Sequence, residues 1–463
     1  MSLQKSLLLP EEDSSNIPDE EYTNKNRQIS ITDPGGSKTV KAETSVRNWL
    51  WMSIAFSAVH GTVTACLAYA TASLGADLGA YGSGTLYFFY SIVALFFSQP
   101  VVDKVGPKNG IAIGCIGYQV YVAGFLVAVL TPSDVAWPVF LISCAIGGAA
   151  GGVLWTGQGK YFAVSTQVHS SLTGDAVSEC TTKFSSIFAT TYLALECVTK
   201  ALASLIFWAF PNSGGPIVFS TYTVLSVLSC FLVLKIDNLG FKTEANLHMS
   251  DLLSFEKATK AIKLLRNSPQ MKWLIPFQVS FALSAALLAY YIFGTIVNNS
   301  DELGEGTIGV LSAIILVTGT ASTYPLSFLP RSLAISLGGI CFSMLGGVLF
   351  FGDDEQLGTW VIMIIVMSLQ GIGRSVWEST NKSVVADLYG PQNESASAFA
   401  VISFSNGIAN ALAFFTYEDY RRSTMGILVI VAGVISIPTY LQGVGTFGSF
   451  AKDTTVEERE SLI

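Results

Sequence analysis

Charge is what this chain has least of. Asp, Glu, Lys and Arg make up 13% of its 463 residues, while 51% are hydrophobic and mean hydropathy is +0.52. Soluble proteins carry roughly 25% charged residues, so the balance excludes an ordinary soluble domain and predicts a polytopic membrane protein. Histidine is scarcer still, with 3 residues, and no Cys/His cluster has metal-ligand spacing. The 7 cysteines fall in apolar stretches or in loops read below as cytosolic, so no disulfide framework is expected. No nucleophile elbow, phosphate loop or ATP motif is present, which argues against an enzyme or a primary pump. No cofactor or metal is expected, and a net charge of −8 gives no reason to expect nucleic acid as a partner. No cleavable signal peptide is expected, because residues 1–41 are polar and acidic.

What remains is apolar sequence in helix-length pieces. Twelve spans can each cross a hydrocarbon core of ~30 Å: 48–72, 82–102, 110–131, 136–159, 184–208, 215–235, 273–297, 306–328, 332–351, 358–382, 395–416 and 424–442. In lipid every backbone polar group must be satisfied within its own segment, so helices are the expected structure. The lipid bilayer is thus the first partner. Residues 1–45 and 443–463 read as tails, the first too polar to fold. Residues 46–235 and 273–442 read as six-helix bundles, and 236–272 as a linker.

Charge placement sets the orientation. With both termini in the cytosol, only Arg421 and Arg422 of the 25 Lys and Arg fall in outer loops, and Lys200 and Arg374 lie within spans. The outer loops carry acids instead, including Asp301, Glu302 and Glu305. This is a strong positive-inside bias. In the linker, Ser250 or Asp251 could cap a helix running to Asn267, with Lys257, Lys260, Lys263 and Arg266 opposite Ala258, Ile262 and Leu265. That pattern fits a basic amphipathic helix on an anionic leaflet or a solvated linker helix.

The chain also repeats itself. Gly151, Trp155 and Lys160 align with Gly373, Trp377 and Lys382 at an offset of 222 residues. Trp49 matches Trp273, Pro100 matches Pro325, and Pro107-Lys108 match Pro330-Arg331. Two parallel six-helix repeats joined by a long inner loop are the plan of major facilitator proteins, which place substrate sites between the halves near the midplane. The expected fold class is therefore an all-α polytopic membrane protein of twelve transmembrane helices in two six-helix parallel repeats.

The loop QPVVDKVGPK (99–108) resembles the major facilitator signature: Asp103, Lys104, Gly106 and Lys108 fit, while Gln99 and Pro107 depart from it. A narrower resemblance lies in GPKNGIAIGCIGYQVYVAGF (106–125), in LWTGQGKYF (154–162), in GIGRSVWESTNKSVVADLYG and in ASAFAVISFSNGIANALAFF (396–415). These are similar to the Unc-ninety-three-like, or ion channel regulatory, family, a divergent branch of the major facilitator superfamily. Trp155, Thr156, Gly157, Gln158 and Gly159, with Trp377, are the motif residues. The resemblance implies a protein that regulates or escorts a channel or receptor partner.

The intramembrane charges imply an alternative: a secondary, proton-coupled transporter of a small polar or charged solute. Glu196 and Lys200 stand at i and i+4 in the fifth span, with the acid on the favoured N-terminal side. A carboxylate at that depth needs a proton on it or a cation beside it, and Lys200 could instead snorkel toward the outer surface. Arg374, Glu378 and Lys382 form a second i, i+4 ladder, in which Arg374 could clamp a ligand anion or simply pair with Glu378. Packing pairs are the plain reading of both sets, and a functional site is the other. His60, alone in its span, reads as a packing residue or a relay to Glu196. Trp155 and Trp377 read as anchors or packing residues, and Gln158 and Asn381 as helix–helix hydrogen bonders. The last residues, with Glu458, Leu462 and Ile463, match an acidic dileucine sorting pattern. The expected location is the plasma membrane or an endosomal, lysosomal or vacuolar membrane.

Overall fold

The computed structural model describes residues 29–33, 36–238, 256–389 and 394–445. Within the expected N-terminal tail, Ile29–Asp33 (β1) and Gly36–Val40 (β2) pair as an antiparallel hairpin, and the first helix starts at Ala42. Glu458, Leu462 and Ile463 of the sorting pattern lie outside the described residues, as do Ser250 and Asp251.

The first half contains α1 (Ala42–Leu74), α2 (Ala76–Phe96), the short α3 (Ser98–Val105), α4 (Pro107–Leu130), α5 (Ser133–Thr173), α6 (Val177–Ala209) and α7 (Gly214–Val233). The linker helix α8 (Glu256–Asn267) follows. The second half contains α9 (Pro269–Leu287, continued as a π-helix over Leu288–Val297), α10 (Ile308–Ser327) and α11 (Arg331–Phe351). It ends with α12 (Trp360–Val376, continued by a π-turn over Trp377–Asn381 and by Lys382–Tyr389), α13 (Ser395–Thr416) and α14 (Arg422–Gly445). Among the described residues, 12 helices are long and apolar enough to cross a membrane, and they match the spans read from sequence. Four run further than expected: α1 begins at Ala42, α5 continues to Thr173, α6 begins at Val177 and α12 reaches Tyr389.

Breaks fall where the local chemistry dictates them. Gly106, with φ at 83°, takes the left-handed turn between α3 and α4, and Pro107 opens the next helix where no backbone donor is needed. The hydroxyl of Ser268 caps α9 by accepting from the backbone amide of Met271 at 3.3 Å, with Pro269 in the first turn. Helix α8 buries Ala261 and Leu264 against the second half, while Ile262 is exposed. This corrects the face expected from sequence. The helix has docked on the bundle, and the residues that fit between neighbouring helices are the buried ones.

The two halves meet along matching seams, α2 against α13 and α6 against α10, with α1 against the π-segment of α9. The repeat pairs α2 with α10 and α6 with α13, so the first two seams are related by the internal pseudo-twofold. One end of the bundle is basic, carrying Lys104, Lys108, Lys160 and Lys382, and the other is acidic. Apart from the bridge described below and a bond between Tyr90 of α2 and Ser403 of α13, the described hydrogen bonds between the halves lie toward the acidic end. Thr71 donates to the carbonyl of Ala289 at 2.7 Å, the Gly309 amide to Tyr69 Oη at 2.9 Å, and the Val310 amide to Ser204 Oγ at 2.9 Å. Ser73 also donates to Glu305. The larger apolar core follows the same pattern, running from the first half through Ile292, Ile296, Ile308 and Leu311 into the second. At the basic end the second half keeps a core of its own around Phe277, Phe342 and Tyr440.

Candidate functional site

The two sets of intramembrane charge, read separately from sequence, form one network. Arg374 on α12 reaches across the seam between the halves to Glu196 on α6. Its two terminal nitrogens lie 3.3 Å from Oε1 and 3.1 Å from Oε2 of Glu196. This is the two-pronged geometry in which guanidinium and carboxylate pair best. Lys200 donates to the same Oε1 at 2.8 Å. Glu378 is at 4.0 Å from Arg374 Nε and pairs closely with Lys382.

Two expectations are corrected. Arg374 does not pair first with Glu378. Trp377–Asn381 is a π-turn, which inserts a residue into the helical repeat and shifts the faces on either side of it. Glu378 then serves Lys382, and the guanidinium is left for the other half. Lys200 does not snorkel outward either: its side chain is 7% exposed. Gly309 of α10 lies directly on the Lys200 carbonyl, where a Cβ would come within 2.2 Å. That contact seals the acidic side of the lysine.

Exposure rises in one direction along the network. The side chain of Glu196 is 1% exposed, Arg374 19%, Glu378 37% and Lys382 39%. The chain of charge is therefore dry where the halves are sealed and wet toward the basic end. It holds three cations and two carboxylates, so with both acids ionised it carries one positive charge in excess.

His60 lies beside this network without a described hydrogen bond to it. Its ring packs among Phe56, Tyr118, Trp155 and Tyr192, and its Nδ1 is buried without a partner. The next residue, Gly61, packs on the α6 backbone at Glu196. Trp155 is thus part of an aromatic wall on the first half. Trp377 stacks on Phe281 with ring centroids 4.4 Å apart, and its Nε1 donates to Gln278 Oε1 at 2.7 Å. Gln278 Nε2 in turn donates to Asn381 Oδ1 at 2.9 Å. Asn381 makes the helix–helix bond expected of it, through a glutamine the sequence reading did not single out. Gln158 is half-buried.

The signature loop and the Trp-Thr-Gly-Gln-Gly motif turn out to be one joint at the basic end. Thr156 donates to Ser98 Oγ at 2.8 Å, Lys160 pairs with Asp103, and Gln99 Nε2 donates to Asp103 at 3.1 Å. Gly157 packs on α4, where a Cβ would stand 3.1 Å from the Pro107 carbonyl. Gly159 is exposed, and Lys104 and Lys108 are half-buried on the same loop. Gln99, a departure from the signature, therefore acts as a second partner for its aspartate.

Sequence reasoning missed the link between Glu196 and Arg374. A signal for it existed: Arg374, Glu378 and Lys382 carry one positive charge in excess within an apolar span, which calls for an acid from another helix. The distance between Glu196 and Arg374 is a tertiary fact that spacing along one helix cannot supply.

Comparison with known proteins agrees with this architecture. The sequence model described as "Ion channel regulatory protein UNC-93" matches residues 71–350. The "UNC93-like protein MFSD11" of Xenopus tropicalis is 23% identical over 405 residues, covering 76% of this chain and 84% of that protein. "UNC93-like protein 3" of Arabidopsis thaliana is 23% identical over 371 residues, covering 77% of each. Among solved structures, the nucleoside transporter NupG superposes with a TM-score of 0.60 at 12% identity, covering 87% of this chain and 99% of that one. The inward open xylose transporter XylE from E. coli gives 0.59 at 13% identity, covering 91% and 98%. The chain belongs to the UNC-93 family, and its fold is that of the major facilitator transporters.

Proposed function

We propose that this member of the UNC-93 family moves a small anionic solute by alternating access, with Glu196 as the proton-accepting group. One observation carries the reading: a buried carboxylate and a guanidinium, one from each half, close a bridge at the seam on which such folds pivot. A protein that served only as a scaffold would gain little from it. Burying a charge pair costs as much desolvation as it returns in attraction, and apolar side chains of like size stabilise at least as well. A proton on Glu196 would weaken both charge-assisted bonds to Arg374 and free its fork for a carboxylate or phosphate on the solute. The excess positive charge of the network favours an anion. The basic end is the cytosolic end in this reading, by the positive-inside bias, and the network's side chains grow more exposed toward it.

The test is uptake by the purified protein in proteoliposomes, with a panel of carboxylates, organic phosphates, nucleosides and sugars. Saturable uptake of an anion that responds to an imposed proton gradient is expected. Uptake that ignores the gradient, or none across the panel, removes the proposal.

A second reading is that the chain regulates or escorts an ion channel or receptor, and the family match over residues 71–350 favours it. Co-purification of one defined channel that survives neutralising Glu196 and Arg374 supports it, and loss of the channel with the charges counts against it. For location, the dileucine pattern predicts an endosomal, lysosomal or vacuolar membrane. Leu462→Ala with Ile463→Ala should then send the protein to the cell surface.

A further inference from the structure

We propose that the hairpin joining α5 to α6 holds a zinc-class divalent cation on His169, Asp175 and Cys180, independently of the transport reading. One ligand atom from each of these residues lies within 4.8 Å of the other two. His169 is in the last turns of α5, Asp175 in the connection and Cys180 in the first turn of α6, so a stretch of twelve residues brings the trio together. The sequence alone gave His169 and Cys180 no shared role. Their spacing matches no known motif, and their proximity depends on where α5 ends.

The turn is built to hold them. Gly174, with φ at 82°, takes the left-handed cap of α5. Ser170 Oγ donates to the Asp175 carbonyl at 2.7 Å, and the Asp175 amide donates to Thr173 Oγ1 at 3.2 Å. These bonds fix the backbone and leave the Asp175 carboxylate at the surface. His169 and Cys180 are each 2% exposed. His169 is oriented by its ring packing on Phe184, with centroids 5.1 Å apart. Its Nδ1 is buried with no hydrogen-bond partner, an arrangement that is rare unless something unseen completes it.

The donor set selects the metal class. A thiolate, an imidazole and one carboxylate suit zinc, whose three-ligand sites keep a fourth position for water, better than calcium or magnesium, which take oxygen. Tetrahedral ligands at ordinary zinc bond lengths stand roughly 3.3–3.8 Å apart. Binding would release the Cys180 thiol proton to solvent. Lys183 Nζ lies 3.4 Å from His169 Nε2, so that nitrogen faces the lysine and the buried Nδ1 is the one left for the cation. The ion would fasten the basic end of α6, the helix that carries Glu196, to α5.

The experiment uses the tag-free, full-length protein in detergent, stripped with a chelator and titrated with zinc alone, then with cobalt as an optical probe. One zinc per chain is expected, together with a thiolate-to-cobalt charge-transfer band. Cys180→Ser should abolish the band. Asp175→Asn, a surface change that leaves the packing alone, should weaken binding by more than about tenfold, since even losing a supporting residue behind a ligand costs roughly 10–100-fold. No stoichiometric binding, a band that persists in Cys180→Ser, or unchanged affinity in Asp175→Asn would each overturn the site.

Discussion

The same frame of Gly, Trp and Lys occurs in both halves, on α5 and on α12, and the two copies do different work. On α5 every described polar contact of the motif stays within its own half: Thr156 bonds Ser98 and Lys160 pairs with Asp103. On α12 the residue matching Thr156 is Glu378 and the one matching Gly152 is Arg374. Gly152 has no room for a side chain, because a Cβ would stand 2.9 Å from the Ala94 amide of α2. Arg374 has room and extends to the opposite half. The repeat position of Asp103 falls near Phe328 and Leu326, so Lys382 has no acid on its own signature loop and turns to Glu378 one turn back. One copy has become a rigid joint and the other a connection between halves.

The comparison can be broken from either side. Arg374→Ala should have the largest effect. It leaves Glu196 buried with only Lys200, and removing one partner of such a pair destabilises by about 3–5 kcal/mol. Thermal unfolding in detergent measures this. Copying the arginine into the first half, as Gly152→Arg, forces α2 and α5 apart. The expected loss is about 1–3 kcal/mol or more, read by the same assay, with no gain of function. Trp377→Phe keeps the stack on Phe281 but removes the bond to Gln278, a loss of about 1 kcal/mol. Lys160→Met should matter least to stability. The Asp103 and Lys160 side chains are 31% and 29% exposed, and partly exposed pairs contribute roughly 0–1 kcal/mol.

Much of this was legible beforehand. Runs of about 20 apolar residues located the membrane helices because lipid leaves the backbone no alternative, and the offset of 222 residues revealed the repeat. The residues of the network were identifiable singly, since charge within an apolar span stands out. Their pairing was not. Whether Arg374 meets Glu378 or Glu196 depends on a π-turn that no periodicity announces, and on a seam between segments 178 residues apart. Lys200 stayed buried because Gly309 closes over it, and nothing near Lys200 in sequence records that. The basic helix α8 shows the same limit: its charges were visible, but the face it buries is set by the bundle beneath it.

In the proposed function the bridge between the halves serves transport and not stability. The triple variant Glu196→Leu, Lys200→Met and Arg374→Leu tests it most directly, because Lys200 has Glu196 as its partner and replacing all three charges with apolar side chains keeps the volume filled and leaves no orphaned ion. Thermal unfolding and proteoliposome uptake should be measured on the same preparation. A protein at least as stable as the parent, with uptake abolished, is expected. A triple variant that still accumulates solute when a proton gradient is imposed would contradict it.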